Sequence, residues 1–295
     1  MYDSILVPTD GSDHAVRAAR HGLALGERFD ATVHVLGVAD VAAAAGPFNA
    51  GGVDRAFVER LESQCESAID TVEGLADPGV SLETAVVKGS PGEEILAYVD
   101  EAGIDLVAMG TKGRRGLRRF VTGSVTEHVV RGATVPVVTV RTTDADPVTD
   151  YERVLVTTDG SDAADAAVDH AIAVAGAYDA TLHALSVVDI EALAAGPTAA
   201  PPTDLLETLG EQSREATDAI ADRAEEAGVE TVTEVREGFP GPGILEYADE
   251  EGIDLIAMGT HGRTGVNRIL LGSTTERTIR RSPVPVMSVH PADGS

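Results

Sequence analysis

Short apolar runs alternate with longer stretches of helical periodicity along this chain. Residues 5–8, 31–38, 81–87, 106–109 and 137–140 are rich in Val, Ile and Leu and end on polar residues or glycine, which predicts five buried strands. Between them, 13–28, 54–75, 92–101 and 124–131 carry apolar positions at helical spacing, with Ser12 placed to cap the first. The Ala, Gly and Pro run at 40–52 reads as a loop over the strand ends. The plan returns with strands at 154–157, 181–188, 231–236, 255–258 and 286–289. Strands joined by helices require right-handed crossovers, and these produce a parallel sheet with helices on both faces. Each half is therefore expected to be a doubly wound α/β domain, with ligands bound beyond the carboxyl ends of its strands.

Asp10 aligns with Asp159, Gly110 with Gly259 and Pro136 with Pro285, each pair 149 residues apart, so the two halves keep register throughout. The polar, aperiodic stretch 142–151, which contains Pro147, reads as a linker between domains at 1–141 and 152–295.

The strongest repeat is 105–124, DLVAMGTKGRRGLRRFVTGS, which returns at 254–273 as DLIAMGTHGRTGVNRILLGS with 12 of 20 positions identical. In both copies a buried strand ends on glycine, further glycines follow at fixed spacing, and Gly-Ser opens a helix. Glycines at a strand end allow backbone N–H groups to face one concavity beside a helix N-terminus, a site suited to phosphate. The first copy also holds Lys112, Arg114, Arg115, Arg118 and Arg119 with no acid between Gly110 and Ser124, whereas the second has Arg263, Arg268 and His261. In a chain of formal charge -27, that concentration of positive charge favours a polyanionic ligand, with the weaker grip in the second half.

The pattern Gly110, Gly113, Gly123-Ser124 and its copy Gly259, Gly262, Gly272-Ser273 resemble the ATP-binding signature of the universal stress protein family. The likeness extends to the TDGS turn after each first strand, a Gly-x-Pro before each third helix (Gly89 to Pro91, Gly238 to Pro240), and a Val-Pro-Val at each end. It implies two Rossmann-like domains, each with a five-stranded parallel sheet of order 3-2-1-4-5. It also implies ATP or another adenine nucleotide as ligand, with room for a magnesium or manganese ion to which no carboxylate is assigned. Carried over by position, the phosphate ligands are Gly110, Gly113, Gly123, Ser124 and Val125, and Gly259, Gly262, Gly272, Ser273 and Thr274. Asp10 and Asp159 would face the adenine and ribose, and Val38 and Val188 would close over the base. Pro8, Thr9 and Met109, with Thr157, Thr158 and Met258, complete the two crevices. Taken without the resemblance, the aspartates are turn formers. Single-domain subunits of the family commonly dimerise through the last strand, which implies an internal pseudo-dimer of the two halves, open to further homodimerisation.

Composition narrows the alternatives. Acids exceed bases in both halves, which argues against nucleic acid as partner, and 2 lysines beside 20 arginines in so acidic a chain suggest adaptation to high salt. One cysteine, Cys65, forms no internal disulfide, and the first strand begins too early for a signal peptide, so a cytoplasmic protein with no membrane association is expected. His34 and His183 stand at equivalent strand positions and read as packed in the sheet; the histidines form no metal pattern. There is no Walker P-loop, no G-x-S-x-G elbow and no H-E-x-x-H. The leading expectation is a nucleotide-dependent regulatory protein, at most a weak ATPase. An ATP-dependent hydrolase or nucleotidyl transferase on the same scaffold, or a nucleotide-free interaction scaffold, are the alternatives.

Overall fold

The computed structural model describes residues 1–41, 55–112, 123–143, 146–190, 203–262 and 271–291. The expected loop at 40–52 therefore lies almost wholly outside the described residues, as do Gly113 and the arginines of both glycine loops. Two compact units emerge, Met1–Thr149 and Asp150–Ser295.

The first unit runs β1 (Ser4–Pro8), α1 (Asp13–Phe29), β2 (Thr32–Ala39), α2 (Arg55–Glu73), β3 (Leu82–Lys88), α3 (Pro91–Ala102), β4 (Leu106–Gly110), α4 (Ser124–Gly132) and β5 (Val137–Val140). The second runs β6 (Arg153–Thr157), α5 (Asp162–Tyr178), β7 (Thr181–Asp189), α6 (Thr203–Glu226), β8 (Thr231–Gly238), α7 (Pro240–Glu250), β9 (Leu255–Gly259), α8 (Ser273–Arg281) and β10 (Val286–Val289). Within the first unit the strands lie in the order β3-β2-β1-β4-β5, and within the second β8-β7-β6-β9-β10, all parallel. Both are the 3-2-1-4-5 order. The strand order reverses beside β1 and beside β6, so a crevice opens there at the carboxyl ends of β1 and β4, and of β6 and β9.

The central strands are apolar at consecutive positions because both faces are covered: Ile5, Leu6 and Val7 of β1 and Val154, Leu155 and Val156 of β6 are fully buried. Each such side chain contributes about 1.5–3 kcal/mol relative to leaving it in water. At the opposite end of the sheet, Asp105 Oδ2 accepts from the N–H groups of Asp3 and Ser4 at 2.8 and 2.9 Å. Asp254 does the same for Glu152 and Arg153 at 2.9 and 3.0 Å. These two aspartates, the first residues of the repeated stretch, lock the start of one central strand to the next and lie a strand's length from the crevice.

Helix α1 begins where the sequence places it, because the Ser12 hydroxyl accepts from the N–H group of Ala15, and Ser161 repeats this for α5 with Ala164. His34 and His183 are buried, and each Nδ1 meets a tyrosine hydroxyl of the covering helix, Tyr98 at 3.1 Å and Tyr247 at 2.8 Å. Cys65 packs from α2 over Gly37 of β2, where an added Cβ would sit 2.7 Å from the Cys65 Cβ. Tyr151, within the stretch read as linker, is buried and stacks on Tyr178 of the second unit. No helix among the described residues is long and apolar enough to cross a membrane.

Candidate functional site

The crevice of each unit is built from two turns. In the first, after β1 and β6, the Thr9 and Thr158 hydroxyls accept from the N–H groups of Gly11 and Gly160 at 3.2 and 3.0 Å. Asp10 Oδ1 and Asp159 Oδ1 accept from Ser12 N and Ser161 N, both at 3.0 Å. Gly11 and Gly160 take φ of 72° and 74°, a left-handed conformation that explains glycine there. One carboxylate oxygen of each aspartate thus shapes the turn. The other oxygen of Asp159 faces the glycine loop: a Cβ added at Gly262 would stand 2.7 Å from Asp159 Oδ2. Pro8 is buried at the end of β1, and Thr9, Thr157 and Thr158 are nearly so.

The second turn is the glycine loop, whose two ends are clasped. Gly123 N donates to Thr111 O at 2.7 Å, and Gly272 N to Thr260 O at 2.8 Å. Thr126, in the first turn of α4, donates its hydroxyl to Gly110 O at 2.8 Å, and Thr275 of α8 repeats this to Gly259 O at 2.8 Å. These threonines fix the helix N-terminus over the strand end and were not singled out from the sequence, although both lie two residues beyond Ser124 and Ser273. Replacing Thr275 by valine, which has the same shape, leaves the Gly259 carbonyl without its donor. The expected cost is about 1–2 kcal/mol, read by urea unfolding against the parent.

Gly123 and Gly272 are the N-caps of α4 and α8 and offer no side chain to the first-turn N–H groups, in contrast to the serine caps of α1 and α5. Ser124 and Ser273 are exposed, and Val125 and Thr274 are half-buried. The backbone donors of both helices therefore open toward the crevice without a side-chain acceptor from the cap. Met109 and Met258 are buried one residue before the strand-end glycine.

Gly110 and Gly259 answer to packing. A Cβ on Gly110 would lie 2.7 Å from the carbonyl carbon of His14, and one on Gly259 2.2 Å from the carbonyl oxygen of Ala163, so the first turn of α1 or α5 rests directly on the strand end.

At the end of β2, Val38 is half-buried. Its equivalent in the second unit, 149 residues on, is Val187, which is likewise half-buried and pairs with Arg236 as Val38 pairs with Val87. Val188 is 5% exposed and corresponds to the buried Ala39. Successive strand residues face opposite sides of the sheet, so Val187 and Val188 present to opposite faces.

The first crevice also gathers charge from three elements. Burial first, then the neighbouring Lys112 ammonium, holds the His14 imidazole below its ordinary range, with Arg141 acting in the same sense and Asp13 and Asp10 opposing. His14 Nδ1 accepts from Thr142 N at 3.2 Å, which places the proton of the neutral ring on Nε2. Burial and the Arg141 charge likewise lower Lys112. His14 and Arg141 were missed by sequence reading because neither lies in a repeated motif. Among the described residues no group of three or more His, Cys, Asp and Glu is disposed to hold a metal.

The sequence profile described as the universal stress protein family matches residues 1–141 and 150–290. Universal stress protein MJ0531 of Methanocaldococcus jannaschii is 41% identical over 139 residues, covering 47% of this chain and 82% of that protein. A universal stress protein of Mycolicibacterium smegmatis is 28% identical over 304 residues, covering 97% of each chain. The crystal structure of a universal stress protein from Archaeoglobus fulgidus covers 98% of this chain and 97% of its own, with a TM-score of 0.70 at 24% identity, a likeness of fold.

Proposed function

The chain belongs to the universal stress protein family, and from that premise we propose that each half binds an adenine nucleotide, ATP in the first instance, as a regulatory or stabilising ligand with slow or no turnover. The observation that carries this reading is the open N-terminus of α4, clasped to the end of β4 and flanked by His14, Lys112 and Arg141. Backbone donors at a helix N-terminus and the cations Lys112 and Arg141 suit the phosphates, which would rest on Gly110, Gly113, Gly123, Ser124 and Val125. In the second half Gly259, Gly262, Gly272, Ser273 and Thr274 take the same places. Asp10 and Asp159 would meet the adenine and ribose, and Val38 and Val188, with the neighbouring Val187, would border the base. A magnesium or manganese ion would be held mainly by phosphate and water, a usual arrangement for magnesium beside a nucleotide.

We further propose domains at 1–141 and 152–295, associated as an internal pseudo-dimer in the cytoplasm of a salt-adapted cell; the support is the equal repeat, the acidic composition and the family's habit of pairing. Small-angle scattering of the full chain tests the pairing, since two halves tumbling independently would contradict it.

The nucleotide reading is tested by adding ATP to the full chain. At a hundredfold excess over Kd one site is expected to add about 2.7 kcal/mol of stability. Gly123→Val, which crowds the Thr111 carbonyl 3.3 Å from the added Cβ, is expected to remove the first site's share. An unchanged unfolding midpoint at millimolar ATP, or undiminished binding by Gly123→Val, would refute the reading.

A further inference from the structure

The two crevices differ in one place where their backbones agree. His261 stands at the position of Lys112 and His290 at that of Arg141, each 149 residues further on. Both imidazoles converge on one hydroxyl: Thr260 Oγ1 lies 2.9 Å from His261 Nδ1 and 3.1 Å from His290 Nδ1, with ring centroids 5.8 Å apart. Thr260 is fully buried at the end of β9 and its carbonyl accepts the Gly272 N–H, so the pair sits at the base of the glycine loop. The His261 Nε2 is buried with no hydrogen-bond partner among the described residues. In the first unit the hydroxyl of the equivalent Thr111 has no such partners.

We propose that His261 and His290 form the phosphate-binding cations of the second crevice, and that its grip on a polyphosphate is switched on by protonation where the first, with Lys112 and Arg141, stays permanently charged. This rests on the nucleotide reading above and names the regulation of that site. A hydroxyl has one proton to give, so while both rings are neutral it donates to one Nδ1 and accepts an N–H from the other. The ring that donates has a bare Nε2, which a phosphate oxygen cannot approach as an acceptor; protonation turns that atom into an N–H donor and adds a full charge. The elements that flank the loop carry carboxylates among the described residues. Asp159 faces Gly262 and Asp162 stands in the first turn of α5, both negative, and Glu276 of α8 is engaged with Arg280. Arg263 and Arg268 follow in the loop sequence. Protonation of the donating ring at Nε2 leaves both hydrogen bonds in place, and protonation of the second ring needs only a turn of the Thr260 hydroxyl, whose oxygen has two lone pairs and can accept from both rings.

The test follows the imidazole ring protons of the intact chain by NMR between pH 5.5 and 8.5, alone and with ATP or inorganic triphosphate, while calorimetry establishes whether each probe binds. His261→Gln and His290→Gln serve to assign the signals, either one sufficing to separate the pair. Saturation is expected to raise the pKa of at least one of the two rings by about one unit, the linkage equivalent of about tenfold tighter binding to the protonated site. The double substitution H261K/H290R, which copies the first unit, is expected to bind both probes with the pH dependence of the ligand alone. Binding of either probe with both ring titrations unmoved would overturn the inference and leave the nucleotide reading standing. A shift with triphosphate while ATP fails to bind would uphold the histidines as a polyphosphate site and remove the nucleotide. Binding of neither probe would end both.

Discussion

Gly259→Ala is expected to lower the stability of the second unit by about 2–3 kcal/mol, a cost in the upper part of the range for overpacking a tight interior. The added methyl would stand 2.2 Å from the Ala163 carbonyl oxygen, 2.7 Å from its carbonyl carbon and 3.0 Å from Ala164 N. These are backbone atoms in the first turn of α5, and that turn is held by the Ser161 cap, so it cannot yield by rotating a side chain. Relief requires lifting the helix from the end of β9. Gly110→Ala meets the same obstacle in the first unit, where the nearest atoms are the carbonyl carbon and oxygen of His14 at 2.7 and 2.8 Å. Gly262→Ala supplies the contrast: among the described residues its added Cβ meets the carboxylate of Asp159, a side chain rather than backbone, so the fold should be spared while the crevice is narrowed. Urea unfolding followed by circular dichroism separates the outcomes. A Gly259→Ala chain as stable as the parent, or a Gly262→Ala chain equally damaged, would show that the strand-end glycine serves the ligand alone.

That contrast bears on what the sequence could disclose. A fixed glycine spacing in two copies identified the loop as special, but spacing cannot tell which glycine yields to a ligand and which to a neighbouring helix. Gly110 is explained by the backbone of His14, 96 positions earlier in the chain, and only the packing of α1 across β4 brings the two together. The same holds at the head of the repeat, where Asp105 is identical to Asp254 because each clamps two backbone N–H groups at the far end of the sheet. Sequence identity between copies records constraint without its cause.

The fold itself was legible. Parallel strands covered on both faces read as unbroken apolar runs, and Ser12 announced its helix through a local hydrogen bond that needs no tertiary context. The site was legible only where its parts are contiguous. His14, Lys112 and Arg141 come from a helix start, a loop and a strand end, and no periodicity links them. The choice between Val187 and Val188 has a related difficulty, because in a strand buried on both faces hydrophobicity does not reveal which side a residue takes.

Acid is expected to destabilise the first unit through His21 before surface carboxylates titrate. The side chain is 1% exposed on the inner face of α1, and burial, assisted by the charge of Arg17, lowers its pKa to about 3. The folded chain therefore keeps His21 neutral while the unfolded chain protonates it near the ordinary 6.5. Since the unfolded state binds the extra proton, the contribution of His21 is complete above pH 6.5 and is lost as pH falls from there toward 3, at up to about 1.4 kcal/mol per pH unit. His170, at the equivalent position of α5, and His183 and His14 are lowered in the same direction, chiefly by burial, and steepen the loss. The chain's formal charge of -27 works the other way only at lower pH, where protonated carboxylates relieve self-repulsion, so the window between about pH 5 and 6.5 isolates the histidines. Urea unfolding across that window should show stability falling with pH in the parent. His21→Gln should fall less steeply, by close to one proton at the lower end, whatever its absolute stability. The slope is the readout because it counts protons taken up on unfolding and is independent of the packing that the ring supplies. A slope unchanged in His21→Gln would mean that the imidazole is protonated in the folded chain and that α1 carries a buried charge.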